Sequence, residues 1–271
     1  MKTPANEKLT GLEGKVAIVT GAAGEIGRVI SAGLDAHGAK VVWAGRHERA
    51  LRTAALGSGA KRDNFLTVRA DMRLEQDVRR MVSATLDRFG RVDILINNAG
   101  TRGPTVPVTK LALKAWNEVM ESNLTGAFLC ARECLKHMTR RREGRIINIS
   151  SVIAHMAYPL RASYASSKWG MIGLTRTLAQ EAGPFNVQVN AICPGPVDGP
   201  RLEAVIASRA KALSTGLEDM RRQFMRPSAL GRMVTAEDVS GLVLFLCSDA
   251  GSNITGQIID VSAGYGLWPG A

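Results

Sequence analysis

The chain reads as an α/β protein, a doubly wound parallel sheet of about seven strands with helices on both faces. Three observations lead there. Strand-like and helix-like segments alternate along the chain, which calls for parallel strands joined by crossover helices. Several strand candidates are nearly continuous apolar runs, as expected of strands covered on both faces. The first of them runs straight into a glycine-rich turn that opens a helical segment.

The first strand is assigned to residues 15–20 (KVAIVT), where only the ends are polar. The turn follows at residues 20–27 (TGAAGEIG). Residues 40–44 and 65–69 supply the second and third strands, and residues 75–89 have the periodicity of a helix. The fourth strand is residues 92–97 (VDILIN), and residues 111–139 suit one long helix. Residues 145–150 (RIINIS) and 187–192 (VQVNAI) are the fifth and sixth strands, with a helix over 164–183 between them. Residues 257–261 supply the seventh strand. From 194 to about 235 the chain is irregular, with Pro and Gly first and a charged helical middle, and such length in a compact domain reads as a lid or binding element. The organisation expected is a polar arm over residues 1–10 and a single domain over 11–271 with a substrate loop at about 194–235.

Hydrophobic residues make up 45% of the 271 and charged ones 22%, which allows a substantial core and excludes general disorder. No apolar run reaches membrane-spanning length, and the first residues lack the apolar region of a signal peptide, so no membrane partner is expected. Cys130, Cys134, Cys193 and Cys247 lack metal-binding Cys-x-x-Cys spacing and read as buried reduced thiols, in keeping with a cytoplasmic protein and no metal. The formal charge of +11 raises nucleic acid as a partner. The basic residues are spread along the chain without a nucleic-acid motif, so none is expected. The densest run, Arg140–Arg142 near Lys136 and Arg145, reads as a solvated face, with an acidic protein or anionic substrate as the alternative.

Two features carry chemistry. Glycines at a strand-to-helix turn let the backbone approach a pyrophosphate, which the helix N-terminus stabilises. Tyr164 and Lys168, four apart, share a helix face, with Ser151 upstream. A cation beside a phenol favours the phenolate, and such a phenol can exchange a proton with an alcohol or carbonyl oxygen.

The turn, Asn97-Asn98-Ala99-Gly100 after the fourth strand, Asn123, Ser151, Tyr164, Lys168 and Pro194-Gly195 fall in the order of the short-chain dehydrogenase/reductase family. The chain resembles that family over roughly residues 12–264. The resemblance implies a Rossmann-like dinucleotide-binding domain and hydride transfer between a nicotinamide cofactor and a secondary alcohol or ketone. Tyr164 would be the general acid/base, and Lys168 would favour its phenolate and bind the nicotinamide ribose. Ser151 would hydrogen-bond the substrate oxygen, and Asn123 would help hold a water that links Lys168 to solvent. Gly21, Gly24, Ile26 and Gly27 would form the pyrophosphate turn. Asn98, Ala99 and Gly100 would support the adenine-ribose side, Asp71 and Met72 would border the adenine, and Pro194, Gly195 and Val197 would lie against the nicotinamide. The resemblance also implies a homotetramer or homodimer.

Two positions depart from the family pattern. Glu25 stands where the turn has its middle glycine, and its carboxylate could face solvent or repel phosphate. Gly199 stands where a Thr often bonds the nicotinamide amide. At the end of the second strand Gly45 takes the place of the acid that would bind the NAD ribose, and Arg46 follows. Arg suits the 2′-phosphate, so NADP(H) is favoured over NAD(H). Glu25, and Gly24 where NADP-preferring relatives often carry a basic residue, argue the other way.

Pocket candidates are Ile153, His155, Tyr158, Arg161 and residues 197–233. A 3-oxoacyl-carrier-protein reductase is one named alternative, for which the arginine run fits an acidic carrier. Phe185 stands where such reductases often have a second arginine, so a small-molecule dehydrogenase is an equal reading. A nucleotide-sensing protein without chemistry is a third, disfavoured because Asn123, Ser151, Tyr164 and Lys168 are all present.

Overall fold

The computed structural model describes residues 9–60 and 62–266. Residues 1–8, most of the expected polar arm, and the last five lie outside the described residues. Seven strands form one parallel sheet: β1 (Val16–Thr20), β2 (Lys40–Gly45), β3 (Phe65–Arg69), β4 (Ile94–Asn97), β5 (Gly144–Ile149), β6 (Val187–Pro194) and β7 (Ile258–Val261). Their order is β3-β2-β1-β4-β5-β6-β7, and every pairing is parallel.

The continuous apolar runs are explained by a core on each face. Successive strand residues point to opposite sides of the sheet. Ala17, Val19, Val41 and Trp43 face helices α1 (Glu25–Ala36), α2 (Glu48–Gly57) and α9 (Ala236–Cys247). Their neighbours Ile18, Val42 and Ala44 face α3 (Glu75–Phe89), α5 (Gly126–Arg141) and α6 (Ala162–Ala182). β5 begins one residue earlier than the sequence suggests, at Gly144, where a Cβ would lie 2.7 Å from the Met138 sulfur. All four cysteines are buried and unbridged. Among the described residues no helix is long and apolar enough to cross a membrane.

Two expectations need correction. Residues 111–139 are not one regular helix: α4 (Leu113–Met120) passes into α5 through a π-helical turn, Glu121–Thr125. The backbone stays helical through the junction, so apolar periodicity conceals it. The helical middle expected within residues 194–235 is present, but as two helices rather than an irregular stretch, α7 (Pro200–Ala212) and α8 (Leu217–Met225), which close on a small core of Leu202, Ile206, Ala210, Met220 and Phe224. That core is only five buried residues, too sparse to show in a charged sequence where one helix ends and the next begins. The ends of the segment are joined where Val197 bridges Val234.

The order reverses between β1 and β4, whose following connections leave to opposite faces. A crevice opens there at the carboxyl ends of the strands, as at other switch points of open α/β sheets.

Candidate active site

The turn after β1 forms one wall of that crevice. Gly21 has φ +64°, in the left-handed region, and Gly24 is the N-cap of α1 without any side-chain cap on the first turn. Gly27 packs on Gly21 so closely that a Cβ would collide with the Gly21 carbonyl. Thr20 and Asn98 fix the turn to β4. Asn98 Nδ2 donates to the Thr20 carbonyl at 3.0 Å, and the backbone N–H groups of Asn98 and Ala99 both donate to Thr20 Oγ1 at 3.0 Å. A close glycine-lined approach to a helix start with no side-chain cap fits the pyrophosphate of a dinucleotide. Ile26, Ala99 and Gly100 also line the crevice.

The two departures from the family pattern meet in one contact. Gly199 has φ +147° and ψ 178°, and a Cβ there would coincide with the Glu25 carboxylate. This backbone region is essentially restricted to glycine. Glu25 therefore turns across the crevice to the segment after β6, rather than out to solvent. Residue 199 must be small to receive it.

β5, the 3₁₀ turn after it and α6 bring together three of the residues singled out in the sequence. Lys168 is buried and donates to the Ile149 carbonyl at 2.8 Å, with Nζ 5.8 Å from the centre of the Tyr164 ring. Burial, with the Arg201 charge as a smaller cause, pushes the Lys168 ammonium down to about 7. Ser151 N-caps the 3₁₀ turn Val152–His155, accepting from the Ile153 N–H at 3.3 Å, and lines the cleft with Tyr164 and Lys168. Asn123 lies in the π turn, fully buried. It accepts from the Thr101 N–H at 2.7 Å and donates to the Thr101 carbonyl and to Ser167 Oγ, both at 3.0 Å. Ser167 in turn donates to the Tyr164 carbonyl at 2.7 Å. Asn123 thus reaches the Tyr164 turn of α6 through Ser167, with Thr101 holding its other side.

The opposite end of the crevice is lined by Arg46, Asp71 and Met72. Arg46 is exposed after β2. Asp71 is held by Arg73, whose Nη2 lies 2.6 Å from Oδ2, and these hydrogen bonds keep its carboxyl below the usual carboxylate range. Pro194, Gly195 and Val197 border the Tyr164 end. A Cβ on Gly195 would stand 2.9 Å from the Ser262 Cα, so the strand end and the residue after β7 are in direct backbone contact.

Of the pocket candidates, Ile153, Tyr158 and Arg161 line the cleft with Val197, Leu202 and Phe224. His155 does not: its Nε2 lies 3.0 Å from Asp260 after the ring turns towards β7. Arg201, within the candidate segment 197–233, also lines the cleft; sequence reasoning missed Arg102, which enters it from the segment after β4 and belongs to no motif. It also missed the buried chain Asn97–Asn148–Thr175, with Asn97 Nδ2 to Asn148 Oδ1 and Asn148 Nδ2 to Thr175 Oγ1 both at 2.9 Å. Polar residues inside strands 92–97 and 145–150 were the available signal.

The Glu25–Gly199 contact predicts coupled mutations. Gly199→Thr alone lowers the melting temperature through both the collision and the glycine-only backbone. Glu25→Gly on that background recovers part of the loss, whereas the two changes would be additive if the residues were independent.

The chain is similar to known proteins throughout its length. The family model described as short chain dehydrogenase matches residues 15–210. A 3-oxoacyl-[acyl-carrier-protein] reductase of Aquifex aeolicus is 35% identical, covering 93% of this chain and 98% of its own. The cis-4-hydroxycyclohexanecarboxylate dehydrogenase of Sinomonas cyclohexanicum is 34% identical, with 93% and 96% covered. Among solved structures, an NAD+-bound xylitol dehydrogenase superposes with a TM-score of 0.90 at 29% identity, covering 94% of this chain and all of that one. A glycine turn at the switch point, a Tyr-Lys pair over the strand ends and these similarities converge: the chain belongs to the short chain dehydrogenase family and is a nicotinamide-dependent oxidoreductase.

Proposed function

We propose that the protein transfers a hydride between NADP(H) and a small secondary alcohol or ketone, with Tyr164 as the general acid/base. The observation that carries this is Lys168, a buried ammonium seated beside the Tyr164 ring in a cleft continuous with the glycine turn. Bound nicotinamide supplies or accepts the hydride. Gly21, Gly24, Ile26 and Gly27 hold the pyrophosphate, Asp71, Met72, Asn98, Ala99 and Gly100 flank the adenosine half, and Pro194, Gly195 and Val197 back the nicotinamide. In the reductive direction Tyr164 gives its phenolic proton to the carbonyl oxygen while Ser151 donates a hydrogen bond to that oxygen. Lys168 favours the phenolate left behind and contacts the nicotinamide ribose, and Asn123 holds the first turn of α6 through Ser167. In oxidation the same groups act in reverse.

NADP(H) rather than NAD(H) is supported by Arg46 on the adenosine wall and by the absence of an acid at Gly45. α7 and α8 form the substrate element of a single catalytic domain, since Leu202, Val205 and Phe224 line the cleft. A free small molecule is favoured over a carrier-bound acyl group because two arginines of the exposed run have partners within the fold. Arg141 pairs with Asp93 at 3.3 Å, and Arg142 lies over the Phe185 ring at 6.0 Å and donates to the Pro184 carbonyl. We place the protein in the cytoplasm as a homo-oligomer, in keeping with its four unbridged thiols and the exposed Trp169 on α6.

Three outcomes are expected. Tyr164→Phe lowers kcat/KM for a reducible ketone by about 10²–10⁴-fold in steady-state assays while nicotinamide binding persists. Arg46→Ala weakens NADPH binding by roughly tenfold and leaves NADH nearly unchanged in fluorescence titration. The third concerns Lys168, whose pKa falls from an ordinary 10.5 to about 7 on folding. Between these values the unfolded chain binds the extra proton, so this group makes stability rise with pH. Its cost is fully present below about 7 and is relieved towards 10.5. Urea midpoints of Lys168→Met should lack that rise.

A further inference from the structure

One cation in the cleft has no use in the chemistry above. Arg161, at the start of α6, is 3% exposed and lines the cleft. Its Nη2 donates to the Arg102 carbonyl at 2.7 Å, while Nε and Nη1 are buried without any hydrogen-bond partner. No carboxylate pairs with it among the described residues. Its neighbours are the rings of Tyr164 at 5.2 Å and Tyr158 at 5.9 Å. Around the cleft as a whole, Arg102, Arg161, Lys168 and Arg201 face one acid, Glu25, which is occupied against Gly199. Arg209, whose guanidinium also lies over the Tyr158 ring at 4.8 Å, adds like charge.

A buried charge without a counter-ion is costly. Support of the Arg102 carbonyl and packing on Tyr158 require only a neutral donor such as Gln. The two ring contacts offset part of the cost of the charge, but they leave the N–H groups on Nε and Nη1 without an acceptor. Burial disfavours the ionised guanidinium, the direction expected where no anion compensates it.

We infer that Arg161 binds an anionic group of the substrate, so that the alcohol or ketone acted on is itself an acid. The inference rests on the oxidoreductase reading and deepens it. Guanidinium recognises carboxylate and phosphate oxygens through paired, charge-assisted hydrogen bonds, and both share the chemistry required. Arg161 is 3% exposed with the Tyr158 ring against it, so binding requires that ring to turn aside. Because the guanidinium stacks on the ring of the reacting phenol, the anionic group lies only a few bonds from the carbon that exchanges the hydride. A carrier-bound acyl chain has a neutral thioester at that place, whereas a free hydroxy or oxo acid has its charge there.

The test is calorimetric titration of the full-length protein, alone and with NADPH, using cyclohexanecarboxylate, cyclohexanecarboxamide and cyclohexyl phosphate. Expected is a preference of at least about 30-fold for an anion over the amide, lost in Arg161→Met and partly kept in Arg161→Lys. The preferred anion tells a carboxylate substrate from a phosphate ester. Without ligand, Arg161→Gln, which keeps a donor for the Arg102 carbonyl, should melt no lower than the parent, because an uncompensated charge has been removed. The anion should raise the melting temperature of the parent but not of that variant. Should Arg161→Met fail to fold, Arg161→Gln keeps the Arg102 contact and must still lose the preference. Equal binding of acid and amide, binding of none of the three, or anion binding unchanged in either neutral variant overturns the inference. Tyr164→Phe keeps the ring and should retain the anion preference while losing turnover. Turnover that survives in Tyr164→Phe therefore counts against the oxidoreductase assignment of Tyr164, not against the anion site.

Discussion

Everything at the Tyr164 end depends on how α6 is fastened to β5. The fastening is polar and buried. Asn148 bonds Thr175, Ser150 Oγ donates to the Lys168 carbonyl at 3.0 Å, and Lys168 Nζ donates to the Ile149 carbonyl. Each bond lies where water cannot compete, so loss of one partner costs about 1–3 kcal/mol of desolvation. Apolar packing alone lets a helix slide by small amounts over a sheet, since it is non-directional. Three directed bonds fix both rotation and height, and with them the approach of Tyr164 to the strand ends.

Much of this was legible in the sequence because the relevant signals are local. Seven strands show as short apolar runs, and residues 16–20 and 94–97 are buried on both faces, which is why alternation is missing there. The glycine turn is legible because Gly21 and Gly27 answer to steric needs that no other residue meets. What escaped was non-local. The Glu25 carboxylate finds its partner 174 residues away, at Gly199, and neither residue announces the other. The π turn leaves the apolar period almost intact, and α7 and α8 bury too few side chains to show as two helices within the charged helical middle. Arg161 could be seen as a candidate, but its isolation from carboxylates is a property of the packed molecule.

The cleft is asymmetric in its materials. Its floor is sheet and glycine turn, held by backbone and buried amide bonds. Its cover is α7 and α8, whose small core touches the main body chiefly through the cleft itself and the Val197–Val234 bridge. Elements with few buried contacts open at lower free energy than the core. The division of labour proposed above follows: Ser151, Tyr164 and Lys168 sit on the well-packed part, and Leu202, Val205 and Phe224 on the part with fewer buried contacts.

The π turn at Glu121–Thr125 has a further consequence. α5 is set by its packing on α3 and β4, while α4 is set by its packing on α6. The two halves of what looks like one rod are thus set against different neighbours, with the wider π turn between them. Asn123 occupies the joint. The helix works as a coupling between two independently clocked surfaces, so a one-residue deletion in the joint would leave both halves helical yet mistime one against the other.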